Sequence, residues 1–499
     1  MNGKLYQIIF SIIISFSLVA CEQVIPSSES TQLIEIKPTN QVTDKSDSNL
    51  ETGKFIEGLV RIDYRNIVGS PPALYGSNGW WTDQDEDIWR DRYHELGVRV
   101  IRLPLAQAGF EPHNDDDDPN HINPKGFLFN TPLPWFDRTI TLRKWLEMLK
   151  SQQITVMITI PYLAGWLSAN RDQGLNSTYP PNNLEEYREY LRALLQFAVN
   201  EIGIPPDKII LEPVNEPDLE CGQDRAVTCF WQEWKMEDLV NVMRVAYDEA
   251  KKISPSIRLA GVSECCGTGL LDVLISQYDG LSYLDILSYH KYVNNFDFTD
   301  CISRGEHLKT YGKPVILNEY GNTKYWSNGI SGALWHAAIL PQIWKIGIQP
   351  LQFPISDFPG SHQGYNKLGL FYDWRANWTL KPAYWVYSNF YSHFGGKDIV
   401  SVDNTQPVSI LVSRDKDVGE HNLAIWLTNL DTRKQIKLHF VIDGFPDKAV
   451  EIHVINNLKG PTAIETIQIT SPVLEFDFKI PSQSSFCILI TTFIQTNSP

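Results

Sequence analysis

The chain predicts an α/β architecture: a (β/α)8 TIM barrel over residues 55–395, followed by a C-terminal β-sandwich over residues 396–499. Three observations carry this. Eight short apolar runs alternate with helical patterns between residues 74 and 394, the order that successive parallel βαβ units produce. Two of those runs end in Asn-Glu: residues 208–218 read K-I-I-L-E-P-V-N-E-P-D, and residues 313–321 read K-P-V-I-L-N-E-Y-G. Glu216 and Glu319 therefore sit where buried strands reach a surface, about a hundred residues apart in sequence, and a barrel collects such strand ends on one face. Beyond Gly395-Gly396 the helical period stops, and short alternating runs between turn residues replace it.

In chain order, residues 59–64 form an early strand that could join the sandwich sheet, and Gly69-Ser70-Pro71-Pro72 turns the chain into the first barrel strand at 74–78. A helix over 85–96 stops at Gly97. The second strand, 98–105, is an apolar run interrupted by Arg102, so that guanidinium is either paired in the core or part of a site. The connection from 106 to 132 is long and holds four consecutive acids, Asp115, Asp116, Asp117 and Asp118. It lacks the spaced ligands and central glycine of a calcium loop, which favours a solvated acidic tip. After a helix at 139–151 comes the third strand, 154–161, with Tyr162 and Trp166 just beyond it. Asn183 and Glu186 have capping-box spacing at the start of the next helix, which Gly203 closes. The fourth strand begins at Ile209 and leads to Glu216. Helices at 237–253, 330–345 and 381–390 and strands at 258–262, 285–289, 314–317 and 349–354 complete the barrel pattern. Sandwich strands are expected at 408–412, 423–427, 436–442 and 452–455.

Composition narrows the partners. A net charge of −16 with no basic run argues against nucleic acid and favours a neutral ligand. Aromatic residues make up 12% of the chain; most must be core, but rings left at a surface can stack on apolar faces. At the N-terminus, Lys4 precedes an apolar run over 8–20, which reads as an export signal occupying residues 1–21. Residues 22–54 are rich in Ser, Thr, Gln and Asp and poor in aromatics, the composition of a disordered tether.

The two glutamate motifs resemble those of the large clan of retaining (β/α)8-barrel glycoside hydrolases, which includes cellulase-like, mannanase-like and β-xylosidase-like families. In that clan Asn-Glu-Pro closes the fourth strand, and Glu followed by an aromatic and Gly closes the seventh. The resemblance spans about residues 74–394. It implies cleavage of β-glycosidic bonds in a plant- or microbe-derived oligo- or polysaccharide by double displacement, with Glu216 as acid/base, Glu319 as nucleophile and Asn215 bonded to the sugar 2-OH. Arg102 matches the clan's arginine that supports the nucleophile. Ser288-Tyr289-His290-Lys291-Tyr292 matches a His-x-Tyr element of the cellulase-like members, which implies that His290 binds hydroxyls and Tyr292 orients Glu319. Tyr162 and Trp166 become candidate sugar platforms. Val214 stands where many relatives have an aromatic, and Phe353-Pro354 where many have Trp, so Trp326 or Trp374 would supply the missing floor. No metal or organic cofactor is implied, since no second His lies at ligand spacing from His290. The expected form is a monomer acting on carbohydrate. Two further readings remain: a transglycosidase remodelling the cell's own wall or exopolysaccharide, and an inactive surface glycan-binding lipoprotein, against which the two strand-end glutamates speak.

Leu18-Val19-Ala20-Cys21 resembles the lipobox of bacterial lipoproteins. Cys21 would become the lipidated first residue of an exported, membrane-anchored protein at a periplasmic or cell-surface face. Cys221, Cys229, Cys265, Cys266 and Cys301 follow the fourth, fifth and sixth strands, on loops expected to rim the cleft; Cys221 and Cys229 bracket a short loop and are expected to form a disulfide in an oxidising compartment, with Cys301 pairing to Cys265 or Cys266. Cys487, in an apolar strand, reads as a buried thiol. Metabolic labelling with a radioactive fatty acid should mark the full-length protein and place it with membranes, and Cys21→Ala should remove the label; an unlabelled wild type would refute the anchor.

Overall fold

Strands buried on both faces read as unbroken apolar runs, and eight such runs close into a parallel barrel. In order they are Gly76–Asn78, Val100–Pro104, Thr155–Thr159, Ile209–Glu212, Arg258–Glu264, Ile286–Tyr292, Val315–Gly321 and Gln349–Gln352. The computed structural model describes residues 37–38, 56–169, 179–218, 233–265, 269–324, 327, 329–358, 367–404, 406–416, 422–446, 449–470 and 474–492. The export signal with Cys21, and all of the expected tether except Lys37–Pro38, lie outside them. Lys37–Pro38 pairs antiparallel with strand Leu474–Ile480.

The barrel interior is layered. Leu74, Val100, Met157, Ile210, Ala260, Ile286, Ile316 and Leu351 form a cluster with one residue on or just before each strand. Side chains on a strand return to the same face every second residue. The next inward positions are thus Arg102, Thr159, Glu212, Ser288 and Asn318, a polar layer that is also fully buried. The first strand needs Gly76, because a Cβ there would lie 1.8 Å from the Val100 carbonyl oxygen.

Helices cover the outside as their periodicity predicts. Leu142–Ser151 buries Leu142, Trp145, Leu146 and Leu149 on one face. Helix Glu86–Leu96 stops at Gly97, whose φ of 64° is the left-handed conformation that glycine adopts freely. At helix Leu184–Gln196 only half of the expected capping box forms. Asn183 accepts from the Glu185 amide at 3.0 Å, while Glu186 turns toward Asn114 and Glu189 instead.

Apart from a separate hairpin of Leu133–Trp135 and Arg138–Ile140, the remaining strands make one ten-stranded sheet. Strand Ile56–Gly69, which precedes the barrel in sequence, pairs parallel with Ile436–Asp443 and antiparallel with Asp398–Asn404. The early strand thus joins the sandwich, which is discontinuous in the chain. Phe478 and Phe486 lie on strands far apart in the sheet order, yet their rings are 5.6 Å apart. The sheet therefore curls into two layers around a core that includes Val60, Ile62, Phe440 and Phe476.

One helix joins the two parts. Ile330–Lys345 contains Pro341, which has no N–H to give the carbonyl four residues earlier. That carbonyl, on Ala337, accepts instead from Trp426 Nε1 at 2.9 Å and Thr428 Oγ1 at 3.1 Å, both on a sandwich strand. Trp426 is fully buried and also packs on Phe390 of helix Pro382–Phe394, with ring centroids 4.9 Å apart. Trp426→Ala should lower the free energy of unfolding by about 3–5 kcal/mol, read as a lower urea midpoint, while Trp426→Phe, which keeps most of the ring packing, should lose much less.

Candidate active site

The polar layer is organised by Arg102. Its guanidinium donates to Glu212 Oε2 at 2.7 Å, Glu319 Oε1 at 2.5 Å, Asn78 Oδ1 at 2.8 Å and Asn215 Oδ1 at 2.5 Å. Burial by itself would favour loss of the Arg102 proton, but the charges of Glu212 and Glu319 more than reverse this and hold the guanidinium charged. For Glu212, burial raises the pKa, and Arg102 with the Ser263 and Thr159 hydroxyls brings it below the ordinary carboxylate value. Thr159 donates to Glu212 Oε2 at 2.6 Å, and Ser288 and Asn318 to Oε1 at 3.0 and 2.7 Å; Ser263 donates there as well. Glu212 was not anticipated from the sequence. The signal was present: it follows Ile210 by two residues and so shares its inward face.

Above this layer sit the two strand-end glutamates. The seventh strand carries Asn318 and Glu319 in succession, and plain alternation would send one of them outward. A bulge resolves this: Tyr289 pairs with Leu317 but His290 with Glu319, so the register skips Asn318. Glu319 then faces the cleft, where the Tyr292 hydroxyl donates to its Oε2 at 2.9 Å. Glu216 follows the fourth strand in a left-handed conformation, φ 49°, which is uncommon for a non-glycine residue. Its Oε1 lies 2.7 Å from His290 Nδ1. One oxygen of Glu216, one of Glu319 and a ring nitrogen of His290 all lie within 4.8 Å of one another. Such a trio has the spacing of metal ligands, but Arg102 already supplies the countercharge to Glu319.

The two carboxyls differ in surroundings. Burial pushes the Glu216 carboxyl up to about 7, with Asp218 and Glu212 adding to the rise against the opposing pull of Arg102. Burial also drives His290 down to about 4, so its imidazole is neutral at pH 7. His290 Nε2 is buried and has no hydrogen-bond partner among the described residues. A proton there would be an orphaned donor, so the proton belongs on Nδ1, where it is donated to Glu216 Oε1.

Other expected site residues fall in varied places. Trp166 is half-buried at the rim, and its indole N–H donates to the Glu111 carbonyl at 3.0 Å. Tyr162 is buried. Trp374 lies on a short turn, its N–H bonded to Asp137 at 3.0 Å. It ends a chain of ring contacts that starts at Tyr292 and passes through Phe353, Phe358, Trp80, Trp135 and Phe136. Phe353 thus occupies part of the wall where a tryptophan was missed, and Trp80 and Trp135 were not anticipated. Trp326, Cys221, Cys229 and Cys266 lie outside the described residues. Cys301 is a correction: it does not rim the cleft but faces the core within helix Thr299–Lys309, and it carries a free thiol rather than a disulfide to Cys265 or Cys266. Removing Arg102 would strand two buried carboxylates, so Arg102→Met should destabilise the protein by about 3–5 kcal/mol, measured by chemical unfolding; a change below about 1 kcal/mol would contradict the network.

No family model matches the chain, and no curated protein matches it in sequence. Solved structures do match in fold. A glucosidase from Croceicoccus marinus superposes with a TM-score of 0.65 at 14% identity, over 89% of this chain and 100% of the other. A monomeric β-xylosidase from Caulobacter crescentus gives 0.64 at 14% identity, over 87% and 100%. A thermostable α-L-arabinofuranosidase from Thermotoga petrophila gives 0.60 at 13% identity, over 87% and 99%. At these identities the likeness establishes the fold: this chain shares the barrel-plus-β-sandwich architecture of these glycosidases.

Proposed function

We propose that this protein is a retaining glycoside hydrolase that cleaves β-glycosidic bonds by double displacement. The observation that carries the reading is the pair Glu216 and Glu319, whose nearest oxygens fall within 4.8 Å at the barrel mouth. Retaining enzymes hold their two carboxyls about 5–5.5 Å apart, whereas inverting enzymes leave about 6.5–9.5 Å for a water. The unequal surroundings divide the roles. Glu216, pushed up to about 7, is the acid that protonates the leaving oxygen and then the base that activates water. His290 holds Glu216 Oε1, which leaves Oε2 to carry the transferable proton. Glu319, fixed from two sides by Arg102 and Tyr292, attacks the anomeric carbon. Asn215, held by Arg102, would meet the sugar 2-OH.

The neighbours named as glucosidase, β-xylosidase and α-L-arabinofuranosidase support action on carbohydrate. A protein that only binds glycans has no need of an acid and a nucleophile at this spacing. With the lipobox-like Cys21, the reading is of a monomeric exported enzyme tethered to a membrane.

Glu319→Ala should abolish turnover without loss of fold. Glu216→Ala should still be glycosylated by aryl glycosides with good leaving groups, and azide should restore its turnover. Proton NMR should show the first-formed product with retained anomeric configuration; an inverted product would overturn the mechanism. The pH profile of kcat/KM adds a separate check. Glycosylation requires protonated Glu216, so activity should fall as pH rises through about 7, and Glu216→Gln should remove that limb.

A further inference from the structure

Whether a glycosidase cuts within a glycan chain or at its end depends on what stands across the cleft from the acid. The order of strands round the barrel sets the eighth strand directly opposite the fourth, after which Glu216 lies. In the proposed mechanism Glu216 protonates the leaving oxygen, so the leaving part of the substrate lies on the fourth-strand side. The sugar attacked by Glu319, and any residues joined to its non-reducing side, then extend toward the eighth and first strands.

That side is walled. Phe353 directly follows the eighth strand, and its half-buried ring meets Tyr292, the donor to Glu319, edge to face with centroids 6.4 Å apart. Behind Phe353, Phe358 meets Trp80 edge to face at 4.2 Å, and Trp80 stacks on Trp135 of the hairpin at 5.7 Å and 12°. Polar bonds fasten these layers. Asp83, beyond the first strand, accepts from the Thr139 and Thr141 hydroxyls at 3.0 and 2.6 Å. Asp85 pairs with Arg138 at 3.2 Å and accepts from Trp378 Nε1 at 3.2 Å, while Trp374 Nε1 donates to Asp137 at 3.0 Å. The connections after the eighth, first and second strands are thereby joined into one body.

Burial decides what this body does. A ring that carries a sugar has to offer it an open face. Trp80, Trp135 and Phe358 are 5%, 4% and 5% exposed, so their faces are spent on one another and they obstruct where a platform would line a groove. Phe353, half-buried, keeps part of its ring open next to the nucleophile.

Resting on the retaining-glycosidase reading, we infer that the enzyme is exo-acting and removes single terminal glycosyl units. Phe353 lies against the sugar held at Glu319, and the Trp80–Trp135 stack excludes a second residue on its non-reducing side. The selection is steric, a clash built against longer glycones, and the wall is fastened before substrate arrives, so binding does not have to order it.

The test supplies purified protein with nitrophenyl β-glycosides of glucose, xylose, mannose and galactose, each carrying one sugar or two, and with the matching oligosaccharides isotopically labelled at the reducing end. Products are followed by mass spectrometry. A cleaved monoside should release nitrophenol directly. The bioside of the same sugar should lose free monosaccharide before any nitrophenol appears, and the labelled oligosaccharide should shorten one unit at a time. Trp80→Ala combined with Trp135→Ala should raise direct release of intact disaccharide at least about tenfold relative to monoside cleavage; should that variant unfold, the wild-type product pattern decides alone. Intact disaccharide or internal fragments from the wild type would overturn the inference and leave the glycosidase reading in place. No cleavage of any substrate, with no mass gain from 2-deoxy-2-fluoro glycosides, would overturn both.

Discussion

The structure depends on one buried guanidinium. Arg102 stands at the second inward position of the second strand, where a barrel normally continues its apolar filling, and a charge there is tolerable only with partners at contact distance. Two carboxylates supply them, Glu212 from the fourth strand and Glu319 from the seventh. Glu212 in turn takes donors from the third, fifth, sixth and seventh strands. With Asn78 of the first strand also bonded to the guanidinium, one guanidinium and one carboxylate thereby tie seven of the eight strands together at the level just below the cleft. The nucleophile candidate is bonded to the same group that holds the strands.

This arrangement also explains how two glutamates with similar local sequences acquire different surroundings. Both follow an asparagine at a strand end. Glu319 sits against the guanidinium and a tyrosine hydroxyl. Glu216 is one step farther from Arg102, in a backbone conformation that turns it toward a neutral imidazole. With Glu212 and Asp218 adding negative potential, burial is enough to keep Glu216 protonated near neutrality. The difference in their surroundings comes from where one positive charge is placed relative to the two carboxyls.

The sandwich has a mechanical role. Its central strand Leu423–Asn429 docks on the helices that follow the seventh and eighth strands, through a carbonyl that a proline leaves open and through the buried ring of Trp426. Those helices back the strand that bears Glu319. Because strand Ile56–Gly69 lies inside the same sheet, the barrel is entered and left through the sandwich, which restrains both of its ends.

Much of this was legible in the residues. The eight strands, their helices and the sandwich follow from hydrophobic periodicity, which local chain geometry imposes regardless of context. Glu216, Glu319 and Arg102 stood out because each breaks or ends an apolar run, and charge inside such a run is costly enough to require a reason. What tertiary structure alone decided concerns register and packing. The bulge opposite Asn318 aims Glu319 into the cleft, a relation between two strands that neither encodes separately. Glu186 has the spacing of a cap, yet a facing loop about seventy residues earlier draws its carboxyl into a cluster. Cys301 reads as a rim residue until the helix that carries it turns its apolar face to the core. Glu212 hides in the sequence as the polar end of a strand, and only closure of the barrel brings it within reach of a guanidinium 110 residues away. Periodicity is a property of one segment, whereas partners, register and electrostatic environment belong to pairs of segments, and those exist only once the chain has folded.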